Sequence, residues 1–189
     1  MQSIPLSKNQ SAKIISHLLA LDEESSFARF NQFMKKDGII AYIQNKNFDS
    51  SKFLGIFHQD VIIGLAEIDI SKNNAELSFS VLPKFQDRGI GNALFEDSLE
   101  YARSLGIHDI FLTISQSNKK MKNLALEQGM IVENPWDSEI SGWIPLAPMS
   151  LKEKMVYKNE LFYVYIKESQ KSWKNFILSF FPFYLINNQ

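Results

Sequence analysis

No cysteine occurs among the 189 residues of the chain. That absence excludes disulfides, thiolate zinc sites and cysteine nucleophiles together, so any chemistry must rest on other groups. Histidine is scarce too, with only His17, His58 and His108. They are scattered, without carboxylate or cysteine partners at metal-ligand spacing, and no metal is expected. An excess of one charge is also missing: 20 Lys and Arg stand against 21 Asp and Glu, interspersed rather than in blocks. Without a broad basic field to collect a phosphate backbone, nucleic acid is not expected as a partner. No apolar run approaches the roughly 20 residues of a membrane-spanning helix, so no transmembrane segment is expected. Residues 1–10 are polar and not of signal-peptide type, and the expected location is cytoplasmic.

What is present is the composition of a globular protein, 45% hydrophobic and 22% charged. The length allows one substantial core and is short for two complete domains. A single domain over residues 1–168 is expected, with its core at about 52–133, followed by an aromatic tail at 169–189.

Apolar residues at helical spacing predict helices over 11–21 and 25–36, with a third short one over 38–45. The period then changes. Residues 52–58 and 61–70 are rich in Phe, Ile, Leu and Val and are separated by Gln59-Asp60, which predicts a hairpin. From Ala75 to Val81 apolar and polar residues alternate strictly, with Glu76, Ser78 and Ser80 on the polar face. A helix to about Leu105 follows, with Ile90, Leu94, Ala102 and Leu105 on its buried side and Gly106 as its stop. Next come a strand over 109–115, a helix over 118–128 and the start of a strand at 130–133. Prolines and Gly142 mark 134–150 as a long structured loop, and 161–167 is expected as a returning strand. There is no internal repeat. The fold class is α/β in the α+β sense: a mixed, mostly antiparallel twisted sheet flanked by helices.

The segment richest in chemistry runs Val81-Leu82-Pro83-Lys84-Phe85-Gln86-Asp87-Arg88-Gly89-Ile90-Gly91-Asn92-Ala93-Leu94, where a strand ends, a polar turn follows and a helix begins. The first N–H groups of a helix have no intrahelical partner and the helix dipole is positive there, so a pyrophosphate can be held without a basic patch. Gly89 and Gly91 let phosphate oxygens approach the amides, and Arg88 adds a charged donor at the rim. A P-loop would require Gly-Lys-Ser/Thr, and a dinucleotide fingerprint would require a third glycine in a parallel unit; neither is present.

This segment resembles the coenzyme A signature of the GNAT family of N-acetyltransferases: Arg or Gln, two residues, Gly, one residue, then Gly or Ala, here Gln86, Gly89 and Gly91. The resemblance covers roughly 54–132. It implies acetyl-CoA as co-substrate and an N-acyltransferase activity. It also implies that the main chain of Phe79, Ser80 and Val81 pairs with the pantetheine amides. Gln86, Asp87, Arg88 and Gly89 in the turn, with Ile90, Gly91, Asn92 and Ala93 in the helix, would then surround the pyrophosphate. Asn118, opening Asn-x-x-Met-x-x-Leu-Ala and ending in Gly129-Met130, looks like the family's second coenzyme-proximal segment; a helix N-cap is the other reading of it.

Acetyl transfer to an amine needs a group that removes the amine proton. Glu76, on the polar strand face that runs beside the thioester in the resembled fold, is the candidate base; a solvated strand glutamate is the alternative. Glu67 is the reserve base, with a structural surface role as its other reading. Many family members place a tyrosine in the second helix as general acid. Leu124, Ala125 and Leu126 stand there in this chain, so no acid is assigned.

The stretch from Leu21 to Phe30, with Ala75-Glu76 and 118–130, resembles bacterial protein-lysine acetyltransferases of the Pat type. That makes the acceptor an amine, either a protein lysine or a small molecule such as a polyamine. Arg29 and Phe30 read either as acceptor-site residues or as a helix-surface charge and a core aromatic. A non-catalytic acyl-CoA-binding module is the reading from another class. The aromatic tail is a candidate for membrane-surface contact or for a homodimer, core packing being the alternative.

Overall fold

The computed structural model describes residues 2–134 and 138–180. Strand β4 (Asn74–Val81) follows its sequence pattern closely, with Ala75 and Leu77 buried and Glu76 exposed. It pairs antiparallel with β3 (Val61–Ser71), which in turn pairs with β2 (Ser51–His58). The hairpin between β2 and β3 turns through Gln59 and Asp60, whose φ angles of 47° and 68° are the left-handed pair that a two-residue hairpin turn demands. Residues 62–68 of β3 are all buried because helices cover both faces of the sheet there.

One cover is α4 (Ile90–Leu105), which buries Ile90, Leu94, Phe95, Leu99 and Ala102 in the main core. Each fully buried side chain of this size contributes about 1.5–3 kcal/mol. Gly106, at φ 84°, ends the helix as expected, but Leu105 is exposed rather than buried, because it falls off the stripe that faces the sheet. The opposite face is covered by α1 (Ser11–Leu19), α2 (Glu23–Phe30) and α3 (Lys36–Gln44). The second predicted helix stops early: Asn31 takes φ 52°, and the chain restarts as α3 at Lys36. Asp22 caps α2 by accepting from the Ser25 amide at 2.8 Å.

The remaining elements are β5 (Asp109–Ser115), α5 (Lys119–Glu127), β6 (Ile131–Asn134) and β7 (Glu139–Pro145). With β1 (Ile4–Leu6) they complete a seven-stranded sheet of order β1-β2-β3-β4-β5-β7-β6. Only the β4/β5 pair is parallel, the consequence of α4 lying between them in sequence.

Two expectations are corrected, and one strand was not anticipated. The stretch read as a loop over 134–150 contains β7, paired along the whole of β5 and with β6. Its buried Ile140, Gly142 and Ile144 alternate with Glu139, Ser141 and Trp143, a period that the neighbouring prolines obscured. Gly142 is required by closeness: a Cβ there would lie 2.3 Å from the Ile131 carbonyl oxygen. The polar N-terminus supplies β1, an edge strand, where Pro5 costs no inner ladder bond. The predicted strand at 161–167 is the interior of a long helix, α6 (Leu151–Phe180), because its apolar run continues a helical spacing on both sides. The sheet with α1–α5 forms one compact unit ending at Ser150, and α6 belongs to a second that begins at Leu151. Residues 135–137, within the stretch expected as a loop, and 181–189, within the expected tail, lie outside the described residues.

Candidate active site

The β4/β5 ladder is short. It holds Asn74↔Asp109, Ala75↔Ile110 and Glu76↔Phe111, and stops. Beyond that point β4 stays with β3 as far as Gly64↔Val81, and β5 stays with β7 as far as Ser115↔Glu139. The two half-sheets therefore part after Glu76, and among the described residues no strand pairs with residues 77–81 on the β5 side. An extended chain could add there by main-chain hydrogen bonds, the physics of strand addition. Phe79 and Val81 pack toward the core on one face, the Phe79 ring 5.5 Å from that of Phe95. Glu76, Ser78 and Ser80 point to the other.

At the far end of β4 the chain turns through Pro83–Phe85 and Gln86 and enters α4 at Gly89. Gly89 adopts φ 75°, which an L side chain rarely takes, and a Cβ built on it meets nothing within 4 Å. No side chain caps this helix start. The Gln86 amide donates to Pro83 O and the Ala93 amide to Gly89 O at 3.0 Å, so the amides from Asp87 to Asn92 are left for an external acceptor. Gly91 lies over the Phe79 ring, 3.9 Å from a built Cβ, which brings the helix start directly beside the unpaired part of β4.

The side chains of the turn hold its geometry. Gln86 Nε2 donates to Val81 O and to Ser25 Oγ, both at 3.2 Å, fixing the turn to β4 and to α2. Lys120 Nζ donates to Asp87 Oδ1 at 2.5 Å, which brings the start of α5 to the same place. Arg88 lies over the Phe85 ring at 5.5 Å and is exposed at the rim. Asn92 is exposed on the first turn of α4, and Ala93 is half-buried. Asn118 caps α5, accepting from the Met121 amide at 3.1 Å. The cap and its position near the turn, through Lys120, hold together. Glu76 is exposed and is the last residue of β4 paired with β5, at the vertex where the half-sheets part.

Two buried polar groupings on the face under α1–α3 were not anticipated. His17 is 2% exposed, yet sits on the apolar stripe of α1 beside Ile14 and Leu18. Its Nδ1 is 2.8 Å from Ile62 O and its Nε2 is 2.9 Å from Ser80 Oγ. The carbonyl can only accept, so Nδ1 carries the proton and Nε2 accepts from the serine hydroxyl. Burial lowers its pKa to about 4, against the hydrogen bond to Ile62, and the nearby Arg29 charge lowers it further. The ring is neutral at pH 7 and ties α1 to β3 and β4.

Glu67 and Arg29 correct the surface readings given to both. Glu67 is 1% exposed and pairs across the sheet with Ser78. Its carboxylate accepts from Arg29 Nη2, from Lys46 Nζ at 2.5 Å and from Tyr42 OH at 2.8 Å. Lys46 also donates to Asp69 at 2.6 Å. Burial would lower the pKa of Lys46, but its hydrogen bonds to Asp69 and Glu67 outweigh that and raise it. Burial would likewise raise that of Asp69, but Lys46 and Ser51 hold it low. Burial and the charge of Glu67 raise that of Tyr42, keeping its hydroxyl a donor. The carboxylate oxygens are engaged by donors from α2, α3 and Lys46, so the cluster reads as the clamp of α2 and α3 on β3. The signal in the sequence was a pair of acids, Glu67 and Asp69, inside a strand otherwise apolar on both faces.

A half-parted sheet beside an uncapped helix start offers neighbouring places for an extended chain and for an anion. The profile described as the acetyltransferase (GNAT) family matches residues 17–130, more than half of the chain. The chain belongs to that family and is an acetyl-CoA-dependent N-acetyltransferase. Its fold is similar to the GNAT domain of S. lividans PAT, with a TM-score of 0.64 and 21% identity over 76% of this chain and 89% of that one. It is similar to the ribosomal-protein-S18-alanine N-acetyltransferase of Escherichia coli, with a TM-score of 0.61 and 14% identity over 79% and 96%. Spermidine N-acetyltransferase from Vibrio cholerae, solved with CoA and spermine, gives a TM-score of 0.59 and 18% identity over 77% and 95%. No curated protein sequence matches the chain. Among the described residues no group of His, Asp and Glu is placed to hold a metal ion, and no helix is long and apolar enough to cross a membrane.

Proposed function

We propose that the chain transfers the acetyl group of acetyl-CoA directly to a primary amine, with a protein lysine as the acceptor. One observation supports this most: β4 loses its neighbour beyond Glu76, and the strand so exposed leads to the open start of α4. The pantetheine arm pairs with the main chain of Phe79, Ser80 and Val81. Residues Gln86 to Ala93 surround the pyrophosphate, which takes the amides between Asp87 and Asn92, with Arg88 as the charged donor and Asn118 nearby. Gly89 and Gly91 fit that role, since neither puts a side chain between phosphate and amide.

Glu76, at the vertex, is the base. The amine nitrogen bonds to the thioester carbon as the carbon–sulfur bond breaks. The amine proton passes to the Glu76 carboxylate directly or through water, and the coenzyme leaves as its thiolate, which then takes a proton from solvent. A free thiol near its own pKa is a tolerable leaving group, which suits a chain with Leu124, Ala125 and Leu126 where relatives carry a tyrosine. The lysine acceptor is supported by the α2 region, whose sequence resembles the Pat type, and by the fold shared with S. lividans PAT.

The test is acceptor labelling with radioactive acetyl-CoA, using a lysine-containing protein mixture and spermidine in parallel. Protein label that is lost on Glu76→Gln, without spermidine turnover, is the expected result. Turnover of spermidine with unlabelled protein would reassign the acceptor to a small amine.

A further inference from the structure

Helix α6 presents an apolar stripe to solvent. Leu151, Met155, Phe162 and Ile166 are 83%, 71%, 66% and 39% exposed. Their spacing is regular: Phe162 and Ile166 repeat Leu151 and Met155 eleven residues further on, and the sequence continues the spacing to Trp173 and Ile177. Eleven residues make almost a whole number of helical turns, so the stripe runs nearly straight along the helix. Tyr163 and Tyr165, also exposed, stand at its edges.

Charge is sorted around the stripe. On a wheel of about 3.6 residues per turn, Lys152, Lys154 and Lys158 lie within about a quarter-turn of its centre. Glu153, Glu160 and Glu168 all lie more than about a third of a turn away, on the opposite side, with Lys167 among them. A lysine beside an apolar surface can bury its stem there and raise its ammonium to the level of anionic headgroups, while the acids are kept clear of them. Tyrosine suits the same boundary, with an apolar ring and a wet hydroxyl.

We propose that α6 docks flat on an anionic lipid bilayer surface through this stripe. A second copy of the helix fits less well. Pairing two such faces would set the lysines flanking one stripe against those flanking the other. Among the described residues no helix is long and apolar enough to cross the bilayer.

The experiment is flotation of the full chain with vesicles of phosphatidylcholine containing about 30% phosphatidylserine, beside vesicles of phosphatidylcholine alone. The wild-type chain floats with the anionic vesicles, does so much less with the neutral ones, and is released by high salt. Phe162→Glu with Ile166→Glu lowers partition by about a hundredfold or more. Lys152→Gln with Lys158→Gln lowers it by roughly twentyfold and removes the preference for anionic lipid. Both variants change exposed positions only, and unchanged acetyl-CoA affinity and circular dichroism show that each has folded. A wild-type chain that stays at the bottom of the gradient overturns the proposal, as does flotation that either pair of substitutions leaves unchanged. Sedimentation equilibrium showing a dimer that the Phe162 and Ile166 changes dissociate assigns the stripe to a second copy instead.

Discussion

His17 gives the fold a measurable weakness in mild acid. Unfolded, the imidazole titrates at its ordinary 6.5; folded, burial holds it neutral down to about 4. Between those values the unfolded chain takes up a proton that the folded chain does not, so stability falls as pH falls through this window. The full difference of about 2.5 pKa units corresponds to about 3 kcal/mol, of which about 2 kcal/mol is lost by pH 5. Against the 5–15 kcal/mol typical of a domain, that is a large share. Urea unfolding at pH 7.5 and pH 5 measures it, with His17→Asn as the control. Asparagine can still donate to Ile62 O but does not titrate, and it leaves the Ser80 hydroxyl without its acceptor, a cost of about 1–3 kcal/mol at neutral pH. The variant should start lower and lose about 2 kcal/mol less than the wild type between the two pH values. Equal losses in the two proteins would refute the buried neutral imidazole as the cause.

Three further outcomes follow from the site and its support. Gly89→Glu places a side chain and a negative charge at the helix start, and calorimetry should show acetyl-CoA affinity lost by about a hundredfold or more while the far-ultraviolet spectrum is kept; unchanged affinity would remove the phosphate site from this turn. Glu76→Gln should lower kcat by about 100- to 1000-fold in a thiol-release assay with acetyl-CoA affinity unchanged, whereas an equal loss in binding would make Glu76 a structural residue. Glu67→Ala leaves Arg29 and Lys46 buried without their common partner and should cost about 3–5 kcal/mol in urea unfolding; a cost below about 1 kcal/mol would mean that water reaches the cluster.

The sequence was most readable where one local rule acted alone. Strict alternation marked β4, the Gln59-Asp60 pair marked the hairpin, and the glycines of the turn marked the start of α4. It was least readable where two signals competed. β7 carries the alternation of a strand, but Pro145 and Pro148 and a glycine argue for a loop, and only its place between β5 and β6 decides the matter. The run Leu161-Phe162-Tyr163-Val164-Tyr165-Ile166 has strand composition inside a helix, because each residue type there tolerates either state and the flanking spacing prevails. The polar clusters were hidden for another reason. His17 meets Ser80 over a separation of 63 residues, and Arg29 meets Glu67 over 38, and such meetings depend on how helices lie across a sheet rather than on any local pattern. Glu76 and Gln86 could be named in advance because their places follow from single elements.

The short β4/β5 ladder has a consequence for how ligands and heat act together. Three residue pairs stitch the two halves of the sheet at that seam, and past them the fabric is open. A molecule that lies in the gap and bonds to β4 is in effect a borrowed strand, adding cohesion where the two halves part. Occupancy should therefore be legible as melting temperature, by about 2.7 kcal/mol at a hundred times the dissociation constant. Fragments of the coenzyme can then be ranked by the heat the protein withstands, before any acceptor is known.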